Sequence, residues 1–499
     1  MVNKVKKNLV FSVISKILVF GLGLLIPRLI ISSYGSEING VLSSSGNVLT
    51  YLSLIEAGIS AAAVQGLYGP IGKKDKDAIS QVAVATRKTY RKYFWYFIAA
   101  LFIIAFVFPL FVKSTLNYGL IFGIIAIEGV STALTFYFAS TLVVILSADG
   151  KDYVGQIIQL LIFILNSVVK IVLVTLGVNV LVLQLCYLGV NVIQISLYFF
   201  YTRRHYSWID WKAKPNFTPL KNRKKYMLNG IAWTVFSATD TIVLSIVCGF
   251  KAVSVYAVYS LVFANLNIVI QLIYSSFYFL LGQSYKNNPE KYVEIHDSVE
   301  AFASGVSFML LTVAFLCITP FLKVYTRGIT DIQYIDKYLP MLFMLVYIFS
   351  NSRLVCGNLI NISNNPKMTN VASIMEASFN IGLSFLFAYF LGISGVLLAT
   401  VITLGAKTIF IIIVSNKKLL QRSPFYTFGP LLRNAIILVV FIGLYYLFGI
   451  DQNDYNLFSL VRYGFTVFSV VFLVFFAINH SCSKKFRHAI KAVFMNGEW

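Results

Sequence analysis

Ten ionisable residues inside apolar stretches are nearly all that this chain offers for chemistry. The bases are Lys16, Arg28, Lys170, Arg353, Lys407 and Arg462; the acids are Glu56, Glu128, Asp240 and Glu376. Arginine grips phosphate or carboxylate oxygens two at a time, and lysine acts as a point charge. Bases of this kind facing a wet space would host an anion. The acids would serve as counter-ions or carry a coupling proton or sodium ion. Asn358 and Asn361, close to Arg353 in the chain, offer amides that suit sugar hydroxyls. Covalent chemistry has no visible machinery. No glycine-rich phosphate loop occurs, so ATP is not used directly by this chain. Cys186, Cys248, Cys317, Cys356 and Cys482 show neither metal spacing nor a disulfide framework, and they read as packing residues. No cofactor is expected.

A Lys, Arg or Asp at the centre of a membrane helix costs about 2.5–3.5 kcal/mol, so depth matters. Arg462 lies within about two turns of a span end and can snorkel. Lys170 either does the same or stays inside. Arg353 and Lys407 sit near mid-depth. Lys16 lies in the inner half of the first span and Arg28 in its outer half, about 18 Å further along. Two readings stay open. The bases and acids are structural ion pairs, or they line a cavity whose basic excess suits an anion. Pro27, with Gly21 and Gly23, gives the helix of Arg28 either a bend or close packing.

The elements that must position these groups follow from composition. Of the 499 residues 58% are hydrophobic and only 12% charged, about half the charged share of a soluble protein. No charge occurs from Ile171 to Tyr201. Apolar runs long enough to span a bilayer recur along the chain. The expectation is an all-α polytopic membrane protein, because lipid forces each span to satisfy its own backbone. Such runs are too long for a transmembrane barrel. Fourteen spans are expected, near 8–32, 38–66, 93–112, 118–147, 153–176, 179–201, 226–248, 252–281, 299–322, 338–362, 368–391, 394–415, 431–449 and 457–478. The start "MVNKVKKNLVF" resembles a signal peptide, but its apolar region is too long and lacks a cleavage site, which implies an uncleaved first helix.

The net charge is +22. Thirty of the 41 Lys and Arg fall at the termini and even-numbered connections, counting Arg433 at the lip of its span. Only Lys113, Lys251, Lys323, Arg327 and Lys337 fall in the others. That asymmetry places both termini in the cytoplasm. A nucleic-acid protein would gather its charge on one face, so nucleic acid is not an expected partner. Anionic membrane lipids are.

The chain repeats itself weakly. "YGSEINGVL" (34–42) matches "CGFKAVSVY" (248–256), "FPLFVK" (108–113) matches "TPFLKV" (319–324), "LSADGKDYVGQ" (146–156) matches "ISNNPKMTNVA" (362–372), and "TLGVNVLVL" (175–183) matches "FLGISGVLL" (390–398). Four matches in one order at nearly one offset predict two six-helix lobes of like orientation, related by a pseudo-two-fold axis along the membrane normal. The expected organisation is an N-lobe at 1–201, a basic cytoplasmic linker and hinge at 202–225, a C-lobe at 226–415, and two further helices with a basic tail at 416–499.

"IPRLIISSYGSEINGVLSSSGNVLTYLSLIEAGIS" (26–60) and "LYGPIGKKDKDAIS" (67–80) resemble the opening of bacterial polysaccharide repeat-unit flippases, Wzx-like members of the multidrug/oligosaccharidyl-lipid/polysaccharide (MOP) exporter superfamily. Elsewhere the resemblance is architectural. It implies transfer of an undecaprenyl-pyrophosphate-linked oligosaccharide from the inner to the outer leaflet of a bacterial plasma membrane. It also implies a cationic cavity in a MATE-like fold, and as partners a polysaccharide polymerase and a chain-length regulator. By resemblance the family's first-helix arginine is Arg28, and the acid of "EAGIS" is Glu56. Lys16 has no family counterpart.

The expected mechanism is alternating access. The pyrophosphate meets Arg28, Arg353, Lys407, Lys16 and Lys170, and the sugars meet Asn358 and Asn361. The drive is the membrane potential or ion exchange through Glu56, Glu128 or Asp240. Three rivals remain: a drug exporter and a lipid II flippase of the same superfamily, and a polysaccharide polymerase or ligase. An enzyme would place catalytic residues in a sizeable outer loop. The longest here, 323–337, is short, and its Asp331 and Asp336 read as solvated.

Overall fold

A computed structural model describes residues 21–56, 58–222, 238–287, 289–363, 367–448 and 455–492, with single positions 19, 234 and 365. Lys16, and residues 223–225 of the expected linker, lie outside the described residues. The apolar runs form helices: α1 Gly21–Tyr34, α2 Ser36–Leu52, α3 Ile59–Lys73, α4 Lys76–Phe111, α5 Tyr118–Phe138, α6 Ser140–Ala148, α7 Asp152–Thr175, α8 Val180–His205 and α9 Ala238–Val247. They continue as α10 Phe250–Asn287, α11 Pro289–Tyr325, α12 Leu339–Ser352, α13 Leu354–Ile362, α14 Lys367–Val414, α15 Phe425–Phe448, α16 Leu457–Cys482 and α17 Lys484–Lys491. No strand occurs among the described residues. Polar residues at span edges start the helices by accepting from orphan N–H groups. Asp75 caps α4 through Ala78, Asn117 caps α5 through Gly119, and Asn179 caps α8 through Leu181.

Ten of these helices are long and apolar enough to cross a membrane, against fourteen expected spans. The difference has four sources. The second span is broken by a 3₁₀ turn, Ser53–Glu56, so neither α2 nor α3 reaches full length. The first and seventh are described only as the shorter α1 and α9. The eleventh and twelfth run together as α14, across Gly392 at φ 58. The chain is a multi-pass membrane protein of all-helical fold.

The internal repeat is written into the backbone. Gly35 and Gly249, at φ 88 and 87, open α2 and α10 and stand 214 residues apart. Gly177 and Gly392, at φ 68 and 58, stand 215 apart. These left-handed turns favour glycine. The fourth span of each repeat breaks at one residue, Ala139 in the first and Arg353 in the second, again 214 apart. A nine-residue helix follows each break, α6 and α13.

Contacts divide the chain into two compact units, Met1–Ser254 and Val255–Trp499. In the first, α2 meets the opening of α10 so tightly that a Cβ on Gly40 would fall 1.9 Å from the carbonyl oxygen of Phe250. Asn39 Nδ2 donates to Ser254 Oγ at 2.8 Å beside it. Glu37 ties the turn after α4 into the same end, accepting from Ser114 Oγ, Thr115 N and Thr115 Oγ1 at 2.6–2.7 Å.

At the basic end of that unit, the described part of the basic linker, up to residue 222, packs against the helices. Residues 202–205 complete α8. Tyr206, Ile209 and Leu220 join the buried cluster of α3, α4 and α6. Asp210 N donates to Ser80 Oγ and Asn216 N to the Gln81 carbonyl, both at 3.1 Å. The Arg87 guanidinium lies 5.0 Å from the Trp211 ring, a cation–π contact.

Candidate functional site

Five of the membrane-embedded charges fall into two polar clusters, one in each unit. In the second unit Glu376 stands on the first arm of α14, Lys407 on its second arm, and Arg353 at the break between α12 and α13. The fold at Gly392 returns the second arm beside the first. Glu376 Oε1 lies 3.4 Å from Arg353 Nη1, and its other oxygen takes Lys407. The three side chains are 4%, 12% and 13% exposed, so the attraction acts where water screens it little. Two cations share one carboxylate, which leaves the cluster with a formal excess of one positive charge.

One turn along, Asn380 donates to Thr400 at 3.0 Å and Thr403 at 3.4 Å. Beside the ion cluster opens a cleft of about 460 Å³ along α14. Glu376 and Lys407 supply its charge, and Val371, Met375, Phe379 and Phe410 much of its wall. Asn358 is engaged within the unit, donating to Tyr274 Oη at 2.6 Å. Asn361 is exposed on α13.

In the first unit Glu128 on α5 accepts from Ser45 of α2, and from Gln184 of α8 at 3.0 Å. Lys170 of α7 acts on it electrostatically and sits 5.1 Å from the Tyr187 ring. The expected snorkel of Lys170 is one of two readings, and this placement favours the inward one. Asn191 donates to Ser131 in the same interior. Ser45, Gln184 and Asn191 escape a search for charges alone. Their signal is a neutral polar side chain inside an apolar run, which in lipid finds a neighbouring helix.

The remaining candidates stand apart. Arg28 on α1 is half-buried and has no hydrogen-bond or ion-pair partner among the described residues. Glu56 closes the 3₁₀ turn, and its buried Oε2 has no hydrogen bond. Asp240 is buried on α9, and its charge acts on Tyr51, whose hydroxyl lies 2.5 Å from Thr239 Oγ1. The structure therefore unites Arg353, Lys407 and Glu376, and separately Glu128 and Lys170. Arg28, Glu56 and Asp240 join neither cluster in the contacts described.

No protein-family model matches the chain, nor does any curated protein. Solved structures do match. One is an inward-facing multidrug resistance MATE family transporter of the MOP superfamily, at TM-score 0.65 and 15% identity over 86% of this chain and 99% of that one. Another is the lipid II flippase MurJ in an inward closed conformation, at TM-score 0.66 and 16% identity over 94% and 99%. A third is a MOP superfamily transporter from Pyrococcus furiosus, described as having a binding pocket of reverse polarity, at TM-score 0.55 and 16% identity over 86% and 94%. At these identities the likeness is one of fold, and this chain has the fold of MOP superfamily transporters.

Proposed function

We propose that the chain is a flippase for a lipid-linked oligosaccharide. Its substrate carries a pyrophosphate on an undecaprenyl anchor and crosses from the cytoplasmic to the outer leaflet of a bacterial plasma membrane, for capsule, exopolysaccharide or O-antigen assembly. One observation carries this reading: Arg353 and Lys407 are held in an apolar bundle by the single carboxylate of Glu376. A diphosphate bears more negative charge than that carboxylate and can displace it. Arginine then binds phosphate oxygens bidentately and lysine adds charge. The apolar cleft beside Glu376 is a surface along which a prenyl chain can lie. No bond is broken, so the chain acts as a carrier and not as an enzyme.

Alternating access exposes the cations first to one leaflet and then to the other. Moving negative charge out of an inside-negative cell yields about 2.3 kcal/mol per charge per 100 mV. Ion exchange at Glu56 or Glu128 is the other source of drive. A polymerase and a chain-length regulator would take the product. The likeness to MurJ favours a second reading, lipid II flipping, which differs in the sugar recognised.

The test uses purified chain in proteoliposomes, offered a fluorescent undecaprenyl-pyrophosphate oligosaccharide, lipid II and a cationic dye. Flipping of the oligosaccharide supports the proposal. Transfer of lipid II alone selects the second reading. Dye export alone makes the chain a drug exporter, and polymer formation makes it an enzyme.

A further inference from the structure

Near the start of α11, three side chains able to ligate a metal converge outside both charge clusters. His296 and Glu300 are four residues apart and so share a helix face. Cys356 comes from α13, 56 residues further on. His296 and Cys356 are 0% exposed and Glu300 is 4% exposed. One ring nitrogen of His296, one Glu300 oxygen and Cys356 Sγ all lie within 4.8 Å of one another. Glu300 Oε1 is 3.6 Å from the sulfur.

Tetrahedral zinc, with bonds of about 2.3 Å to sulfur and about 2.1 Å to nitrogen and oxygen, sets its ligand atoms roughly 3.4–3.6 Å apart. An edge of 4.8 Å, the bound on this triad, closes to those values with a shift of about 1.4 Å at most. Two more observations point to a ligand. His296 Nε2 is buried without a hydrogen-bond partner, a costly state for a polar atom. Nδ1 lies 3.5 Å from Asp297 Oδ1, and Asp297 is itself gripped by Arg422 at 2.6 Å and by Lys485. A carboxylate behind the second nitrogen is the usual support of a ligating imidazole. Glu300 has no Lys or Arg ion pair among the described residues: Arg422 acts on it only at longer range, and Thr427 Oγ1 donates to its Oε2 at 2.9 Å.

We propose that His296, Glu300 and Cys356 bind one borderline-soft divalent cation of the Zn²⁺ class, which suits mixed N, O and S donors. Binding converts the Cys356 thiol to a metal thiolate and releases its proton to solvent. The ion clamps α13 to α11.

The test uses the full chain without a histidine tag, purified in detergent, incubated with Zn²⁺ and freed of excess metal by gel filtration. Metal analysis should find one zinc per chain. Co²⁺ in its place should give a near-ultraviolet thiolate-to-cobalt charge-transfer band. C356S should abolish the band and E300Q should lower zinc retention at least tenfold, while C482S, which alters an exposed cysteine elsewhere, changes neither. Folded wild-type chain that retains well under one zinc and shows no band overturns the proposal and leaves a buried hydrogen-bond network. A band that persists in C356S overturns it as well.

Discussion

Arg353 breaks its span at the point of the second repeat where Ala139 breaks the first, 214 residues earlier. One interruption carries a guanidinium and the other a methyl group. Both backbones stay near right-handed helical values, with φ −103 at Ala139 and −98 at Arg353. The break therefore does not need the charge, and the charge is available for another task.

Arg353→Ala should accordingly fold, since Ala139 shows that alanine tolerates this break, and Lys407 still balances Glu376. Glu376→Gln should be worse for stability, because it leaves two buried cations without a counter-charge. Removing one partner of a buried pair costs about 3–5 kcal/mol. Thermal unfolding in detergent should rank Glu376→Gln well below Arg353→Ala and Lys407→Ala. Equal midpoints for all three would contradict the shared-carboxylate arrangement.

In the first unit the pair can be removed together. Glu128→Gln alone strands Lys170 in the bundle, and Lys170→Met alone leaves Glu128 with only Ser45 and Gln184. The double variant replaces a buried pair by neutral groups, which is often close to neutral in stability. A double-mutant cycle should show coupling of about 1–3 kcal/mol. Strict additivity would mean that Lys170 faces lipid or water instead.

Gly40→Ala tests the junction of α2 with α10. The added carbon meets a backbone oxygen at 1.9 Å, which cannot rotate away. Overpacking of this kind costs about 1–3 kcal/mol or more. Gly46→Ala on the same helix meets nothing within 4 Å and should be neutral or gain up to about 1 kcal/mol in helix propensity. Purified yield and melting midpoint should fall in Gly40→Ala and hold or rise in Gly46→Ala.

The turn after α6 gives a pH dependence. Burial raises the Asp149 carboxyl, but bonds from Lys151 at 2.8 Å and Tyr206 at 2.5 Å, with the Lys151 charge, outweigh it and bring it below 3.8. A lowered carboxylate stabilises the fold above its ordinary value and loses that contribution as pH falls through the folded one. Burial, aided by Asp149, pushes the Tyr206 hydroxyl up to about 12, so its contribution is complete below 10.0 and lost as pH rises through 12. Asp149 is 30% exposed, which limits its share to about 1 kcal/mol. Asp149→Asn should lower the melting midpoint slightly at pH 7, and the difference should shrink as pH falls below 3.8. A difference that grows on acidification would contradict this network.

How much of this was legible beforehand depends on the kind of signal. A charge in an apolar run is visible in sequence, so Arg353, Lys407, Glu376, Glu128 and Lys170 stand out unaided. Their convergence is not visible, because Glu376 and Lys407 meet only after α14 doubles back at Gly392. Sequence alone leaves ion pairing and anion hosting both open for that reason, and the structure shows the pairing of Glu376 with Arg353 and Lys407. The turns at Gly35, Gly177, Gly249 and Gly392 were readable because left-handed backbone selects glycine. The breaks at Ala139 and Arg353 are not, since neither residue is a helix breaker. The charge of the linker is plain in the sequence, while its docking depends on an apolar side formed by Trp208, Trp211, Ile209 and Leu220. The His296–Glu300–Cys356 triad was hidden by sequence distance, which defeats any search by cysteine spacing.

The central claim is that Arg353 and Lys407 hold the substrate's pyrophosphate. The direct measurement is equilibrium binding of an undecaprenyl-pyrophosphate oligosaccharide to wild type and to the Arg353→Ala/Lys407→Ala double variant in nanodiscs, with folding checked by circular dichroism. Binding should be at least a hundredfold weaker in the double variant, while a dephosphorylated analogue should bind both proteins alike. Equal affinity in a folded double variant would contradict the claim.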